Sequence, residues 1–209
     1  MEQKTFIHTI RHGHTAYNAE KRYAGSIDIP LSEEGKNSCL QASTNLAFYH
    51  FDVAVTSELQ RAIETAQIMI KSDVPIIQNP LCNERNFGIM EGHTWDEVLK
   101  LEPPILLIDV GNDLHTVNPK GGEPFEKVWD RAQKFSKFLF RNFKGKSILV
   151  VSHGVFLQMF HGYIRGLSCI ESLAYFPSNL QLSSFTFMNR KLIDEKVVKL
   201  LDIPQEPKF

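Results

Sequence analysis

Cysteine is scarce in this sequence. The 209 residues hold three, Cys39, Cys82 and Cys169, odd in number, far apart and without a Cys-x-x-Cys spacing. That argues against a disulfide framework and a zinc knuckle, and it fits a reducing compartment. No apolar run approaches the roughly 20 residues that span a bilayer, and Met1 to Thr5 lack the apolar core of a secretory leader, so a cytoplasmic protein is expected. Neither sign of charge is in excess, with 23 Lys and Arg against 24 Asp and Glu; no global field draws the chain to nucleic acid or to a membrane. Internal repeats and low-complexity tracts are also missing. What remains, 43% apolar and 22% charged residues, is the make-up of an ordinary globular domain. The length suits one well-buried α/β core, and residues 1–209 are read as a single domain.

Apolar patterning then places the elements. Phe6 to Ile10, Phe51 to Thr56, Val74 to Gln78 and Ser147 to Val151 read as strands, the last as a buried one. Helices are expected from Ser32, an N-cap with Glu33 and Glu34 in its first turn; from Ser57, with Gln60 completing a capping box; and from Thr94, with Glu97. Longer ones are expected over Glu123 to Phe143 and Val155 to Ile164. Ile105 to Val110 reads as a strand or a buried helical turn, and Leu182 to Met188 with Lys191 to Leu200 as a hairpin around Asn189-Arg190. Strands alternating with helices predict an α/β fold of three layers, α/β/α, with a mainly parallel central sheet, in which ligands sit beyond the strand C-termini.

Chemistry concentrates at those ends. Arg11-His12-Gly13 leaves the first strand, Ser152-His153-Gly154 leaves the buried one, and Arg61 lies one turn into the helix expected from Ser57. A guanidinium beside an imidazole suits an anion with three oxygens, because the Arg fork binds two while His attacks or donates. A lone His is most often a structural residue; two His-Gly strand ends with Arg beside them weigh against that. A metal held by His12, His14 and His153 is the competing chemistry, and the permanent charge of Arg11 disfavours it.

Together these residues resemble the histidine phosphatase superfamily, in its phosphoglycerate-mutase-like branch. Arg11-His12-Gly13 with Thr15 and Asn18 is similar to the phosphohistidine signature. Ser57, Leu59, Arg61, Ala62, Thr65 and Ala66 match a second block; Asn83-Glu84-Arg85 with Phe87, Gly88, Glu91 and Gly92 match a third. Gly122-Glu123 with Arg131, and Ser152-His153-Gly154, complete the set in family order. The resemblance implies His12 as the nucleophile that carries the phosphoryl group, Arg11, Arg61 and His153 as the groups holding its oxygens, and Glu84 as the proton donor. Asn18 and Gly25 join the substrate-binding set and Thr15 orients the His12 loop, with a simple turn role as the alternative for both Asn18 and Thr15; Asn179 reaches the pocket or caps a loop. Glu123 and the 119–124 stretch are expected to form a lid. His14 stands where many relatives carry Glu, and Ala24 where mutases often carry Ser or Thr.

Mutases of this type usually have a longer insertion with extra Arg residues before the long helix, whereas here no Arg falls between Arg85 and Arg131. The expected function is a phosphomonoesterase acting on a small phosphorylated metabolite through phosphohistidine on His12, releasing phosphate with no metal or cofactor. A cofactor-dependent phosphoglycerate mutase, and a non-catalytic phospho-ligand or protein-binding module, stand as alternatives.

Overall fold

The computed structural model describes residues 3–111 and 113–201. Among the described residues, eight strands and seven α-helices follow in the order β1 (Lys4–Arg11), α1 (Ala16–Ala19), α2 (Glu33–Leu46), β2 (Val53–Thr56), α3 (Gln60–Met69), β3 (Ile76–Gln78), α4 (Trp95–Val98), β4 (Leu107–Val110), β5 (Asp113–Thr116), α5 (Phe125–Asn142), β6 (Ser147–Ser152), α6 (Gly154–Arg165), α7 (Cys169–Ser172), β7 (Gln181–Met188) and β8 (Lys191–Lys199). Six strands form one sheet in the order β3-β2-β6-β1-β7-β8. The first four run parallel, and β7 and β8 close the sheet antiparallel.

β6 lies inside this sheet, and Ile148 to Val151 have no exposed surface. Such a strand is buried on both faces, so it reads as an unbroken apolar run rather than an alternating one. Ile148 and Val150 pack with Phe135 and Leu139 of α5 and Phe156 and Phe160 of α6. Leu149 and Val151 pack on the opposite side with Cys39, Ala42 and Leu46 of α2 and Ala62, Ala66 and Met69 of α3. Three layers result, with a core on each face of the sheet.

One expectation needs correction, and one is narrowed to its strand alternative. The third helix begins at Gln60 and not at Ser57, because no Ser57–Gln60 capping box forms. Ser57 Oγ accepts the Leu59 N–H at 3.2 Å, and the Gln60 N–H is capped from a distant loop by Asp28 Oδ1 at 2.7 Å. The stretch 107–116 is a separate two-stranded hairpin, β4 with β5, turning at Gly111 with φ +67°. The N-caps at Ser32 and Thr94 form as expected, the latter with its full box to Glu97. Among the described residues no helix is long and apolar enough to cross a membrane.

Candidate active site

Sheet register builds the site. Arg11 at the end of β1 is paired with Ser152 at the end of β6, and Thr56 of β2 with Val151. His12, His153 and Ser57 therefore leave three adjacent strands at one level. The two imidazole centroids are 5.1 Å apart. Beyond them opens a cavity of about 200 Å³ lined, among others, by Arg11, His12, His14, Asn18, Gly25, Arg61, Glu84 and Asn179.

His12 is 5% exposed, and its Nδ1 lies 2.7 Å from the Gly13 carbonyl oxygen. A carbonyl can only accept, so Nδ1 carries the proton and Nε2 keeps its lone pair. Burial first, then the charges of Arg61 and Arg11, hold its pKa well below the usual histidine range, and the ring is neutral at pH 7. The turn behind it is tightly packed: the Gly13 N–H donates to Thr65 Oγ1 at 3.0 Å, and a Cβ on Gly13 would stand 2.5 Å from Cys39 Sγ.

Arg61 is buried, and its pKa falls to about 10 through burial, leaving it charged at pH 7. Three of its five N–H groups are placed: Nη1 donates to the Ile27 carbonyl at 2.9 Å, Nη2 to Gly25 at 2.8 Å, and Nε to His153 Nδ1 at 3.2 Å. Arginine only donates, so His153 must carry its proton on Nε2, which donates to Ser57 Oγ at 2.6 Å. Both nitrogens of His153 are thus engaged by protein, and in this state it aims Arg61 rather than facing the cavity as a donor. Burial, Arg61 and His12 lower its pKa strongly. Arg11 stacks over Phe176 at 5.0 Å and donates to the Pro177 carbonyl at 3.3 Å.

Glu84 meets the start of α6. Its Oε1 accepts the N–H groups of Arg85 at 2.8 Å and Phe156 at 3.1 Å, and Oε2 accepts that of Val155 at 3.2 Å. These include orphan donors of the helix N-terminus, so the carboxyl group is held in place by backbone. Asn18 uses Oδ1 to accept the N–H and Oγ1–H of Thr15, the N-cap of α1, leaving its amide nitrogen as the group available to a ligand. Asn179 lines the cavity, as the first of its two expected roles has it, and its Nδ2 donates to the His12 carbonyl at 2.7 Å.

Gly25 takes φ +53°, and a Cβ there would fall 2.1 Å from Glu91 Oε1, which also accepts the N–H groups of Ser26 and Phe87. The close approach leaves the Gly25 carbonyl facing Arg61. Glu123 is not part of a lid. Its carboxylate receives two N–H groups of Arg131, at 2.8 and 2.7 Å, and its carbonyl accepts from Arg85 Nε at 2.7 Å. The 119–124 segment anchors the Glu84 loop from behind and does not line the cavity.

Sequence reasoning missed the part played by Ser57, taken for a helix cap, and the apolar lining of the cavity, to which Tyr23, Phe87, Leu114, Phe125, Val155 and Phe176 contribute. Those rings come from separate segments, and only the strand-end register marks Ser57. The sequence also underestimates the cations, since Arg22 and Lys199 line the cavity.

Comparison with known proteins agrees with this geometry. The family model of the histidine phosphatase superfamily (branch 1) matches residues 7–197. A 2,3-bisphosphoglycerate-dependent phosphoglycerate mutase of Cytophaga hutchinsonii is 30% identical over 196 residues, covering 86% of this chain and 91% of the relative. A metal-independent phosphoserine phosphatase of Arabidopsis thaliana is 33% identical over 159 residues, 74% of this chain and 66% of the relative. The crystal structure of the alpha-ribazole phosphatase from Shigella flexneri superposes with a TM-score of 0.81 at 24% identity, over 93% of this chain and 96% of that one. With His12, Arg61, Glu84 and His153 gathered at the strand ends and the family model spanning nearly the whole chain, the protein is an enzyme of the histidine phosphatase superfamily, branch 1.

Proposed function

We propose that the chain is a single-domain, metal-independent phosphomonoesterase that hydrolyses a small phosphorylated metabolite through a phosphohistidine on His12. The observation that carries this reading is the state of His12: neutral, buried beside two guanidinium groups, with Nδ1–H on the Gly13 carbonyl and the Nε2 lone pair free. In the first half-reaction Nε2 forms a bond to phosphorus and the P–O bond to the leaving group breaks. Glu84 gives its proton to the departing oxygen. The Gly13 carbonyl offsets the positive charge that develops on the ring. Arg11 and the two unplaced N–H groups of Arg61 take the equatorial oxygens, the amide of Asn18 a third contact, and His153 keeps Arg61 in plane. In the second half a water gives its proton to the Glu84 carboxylate and attacks phosphorus, the N–P bond breaks, and phosphate leaves with His12 neutral again.

Hydrolysis is favoured over mutation because the cavity offers little to a second acidic group. Arg85 has given Nε, Nη1 and Nη2 to the carbonyls of Glu123, Thr116 and Val117, and Arg22 is turned to Glu20, Glu97 and the Gly92 carbonyl. Lys199 also lines the cavity. Relatives of both kinds surround the chain, and the mutase reading rests on the Cytophaga match. One assay separates them: a panel of phosphorylated metabolites scored for released phosphate, with His12→Ala and with EDTA as controls. Phosphate release that EDTA leaves intact and His12→Ala abolishes is expected. Rapid 2,3-bisphosphoglycerate-dependent exchange of 3- and 2-phosphoglycerate, with little phosphate released, would reverse the choice. The three unpaired cysteines, two of them buried, support a cytoplasmic setting.

A further inference from the structure

The turn that presents His12 is crossed by the segment that leads into β7. Leu180 donates its N–H to the Arg11 carbonyl at 3.0 Å, Asn179 forms a parallel bridge with Arg11, and the Arg11 guanidinium lies 5.0 Å from the centroid of the Phe176 ring. Leu180 takes φ +55°, an uncommon state for a residue with a Cβ, and its side chain is buried in the core with Ile10 and Val151. That bend directly follows Asn179, whose side chain reaches back to the His12 backbone.

The peptide group joining His12 to Gly13 is held at both ends. Its carbonyl accepts from Asn179 Nδ2 at 2.7 Å, and its N–H donates to Thr65 Oγ1 at 3.0 Å. A carbonyl takes only a donor, which fixes the orientation of the Asn179 amide. Thr65 is fully buried and gives its hydroxyl proton to the Arg61 carbonyl at 2.6 Å, leaving a lone pair for Gly13. The C=O and N–H of a trans peptide point opposite ways, so a plane gripped by both resists rotation about its flanking bonds. The next carbonyl along, that of Gly13, is the one that accepts from His12 Nδ1 at 2.7 Å. Glycine has the widest backbone freedom of any residue, so Gly13 by itself would not keep that carbonyl in place.

We propose that Asn179 is a positioning residue: by clamping the His12–Gly13 peptide against Thr65 it keeps the Gly13 carbonyl on Nδ1, and so holds His12 in the tautomer and direction that present Nε2 to phosphorus. The proposal rests on the phosphomonoesterase reading for the chemistry of Nε2, but its structural part is measured in ligand-free protein. ¹⁵N chemical shifts of the His12 ring, assigned by their loss in His12→Ala, would be recorded for the wild type, Asn179→Leu and Asn179→Ala, and kcat and KM measured on one ester by phosphate release. Wild-type His12 should be the Nδ1–H tautomer alone. Asn179→Leu, which retains the branched shape without the donor, should show mixed tautomers and a kcat lower by about tenfold to a hundredfold, with KM within about twofold of wild type. Asn179→Ala, where a water can take the place of the amide, should show the same changes in smaller degree, and it decides alone should Asn179→Leu not fold. A single Nδ1–H tautomer in the variants with kcat unchanged would overturn the proposal. A raised KM with kcat and tautomer unchanged would make Asn179 a substrate contact and overturn it equally. Mixed tautomers in the variants of a protein whose wild type releases no phosphate from any ester would leave the clamp standing and remove the phosphatase reading.

Discussion

Arg131 on α5 is the structural partner on which the position of Glu84 depends, and replacing it by Met tests whether residues 119–124 are an anchor. All five N–H groups of its guanidinium are used: Nε and Nη2 on the two Glu123 carboxylate oxygens at 2.8 and 2.7 Å, Nη1 on the carbonyls of Leu81 and Asn83 at 2.8 and 2.9 Å, and Nη2 again on that of Glu84 at 3.4 Å. The two side chains are 19% and 16% exposed. Arg131→Met retains the apolar stem and leaves a largely buried carboxylate and three carbonyls unpaired. Removing one partner of a buried pair costs about 3–5 kcal/mol, and the remaining exposure points to the lower end, about 3 kcal/mol. For a chain of this size that is a fall in Tm of roughly 6–12 °C. Urea unfolding gives the free energy, and kcat on two esters gives the function. Loosening the Glu84 loop should slow esters of poorly leaving alkoxides, which need a proton, more than p-nitrophenyl phosphate, which does not. The double variant Arg131→Met with Glu123→Leu should recover part of the stability, since the uncompensated charge is gone, but not the lost kcat. An Arg131→Met protein within about 0.5 kcal/mol of wild type, altered only in KM, would refute the anchor and return the segment to the part of a lid.

Other outcomes follow from the site. Arg61→Ala should lower kcat by about 10²–10³ and His12→Ala should leave only background; equal residual activity in the two would refute the division of roles. Ser57→Ala should cost about fivefold to tenfold in kcat, with ¹⁵N chemical shifts showing His153 no longer held as the Nε2–H tautomer, and Ser57→Thr should rescue both; unchanged shifts would remove Ser57 from the positioning of Arg61. Burial lowers the pKa of His8 to about 4 and of His161 to about 3, and holds His12 and His153 neutral as well. Below pH 6.5 the unfolded chain binds protons that the folded one refuses, so stability is full above 6.5 and drains as pH falls, the His8 part down to about 4 and the His161 part to about 3, each at up to about 1.4 kcal/mol per pH unit. Urea midpoints that stay level from pH 7 to pH 5 would contradict this.

What could be read from the chain was whatever its own neighbours determine. β6 and α5 announce themselves by an unbroken apolar run and by a stripe at helical spacing, and the caps at Ser32 and Thr94 lie within their own turns. Ser57 looked like one more such cap, but its hydroxyl stands 2.6 Å from His153, 96 residues away, and the tertiary partner outcompeted the local one. The β4–β5 hairpin is short and half-exposed, and without alternation it leaves no period to detect. Asn18 combines a local and a tertiary part: Thr15-x-x-Asn18 forms a cap in which the side-chain carbonyl oxygen accepts from Thr15, and the amide nitrogen is left for the cavity.

The same distinction explains why the phosphate end was legible and the leaving-group end was not. Parallel pairing ties Arg11 to Ser152, so two His-Gly sequences at strand ends already imply two imidazoles side by side. Arg85 carries no comparable signal, because the carbonyls of Thr116, Val117 and Glu123 that hold it are backbone, which any residue supplies. Yet that arrangement sets what Arg85 presents beside Phe87 and Phe125. A guanidinium spent on carbonyls and stacked 3.9 Å over Phe125 offers a ring face where a free one would have offered a clamp for a second anion. On the proposed phosphomonoesterase reading, the cations lining this cavity matter less by their number than by what they are already bound to, since Arg85 and Arg22 are held by protein groups.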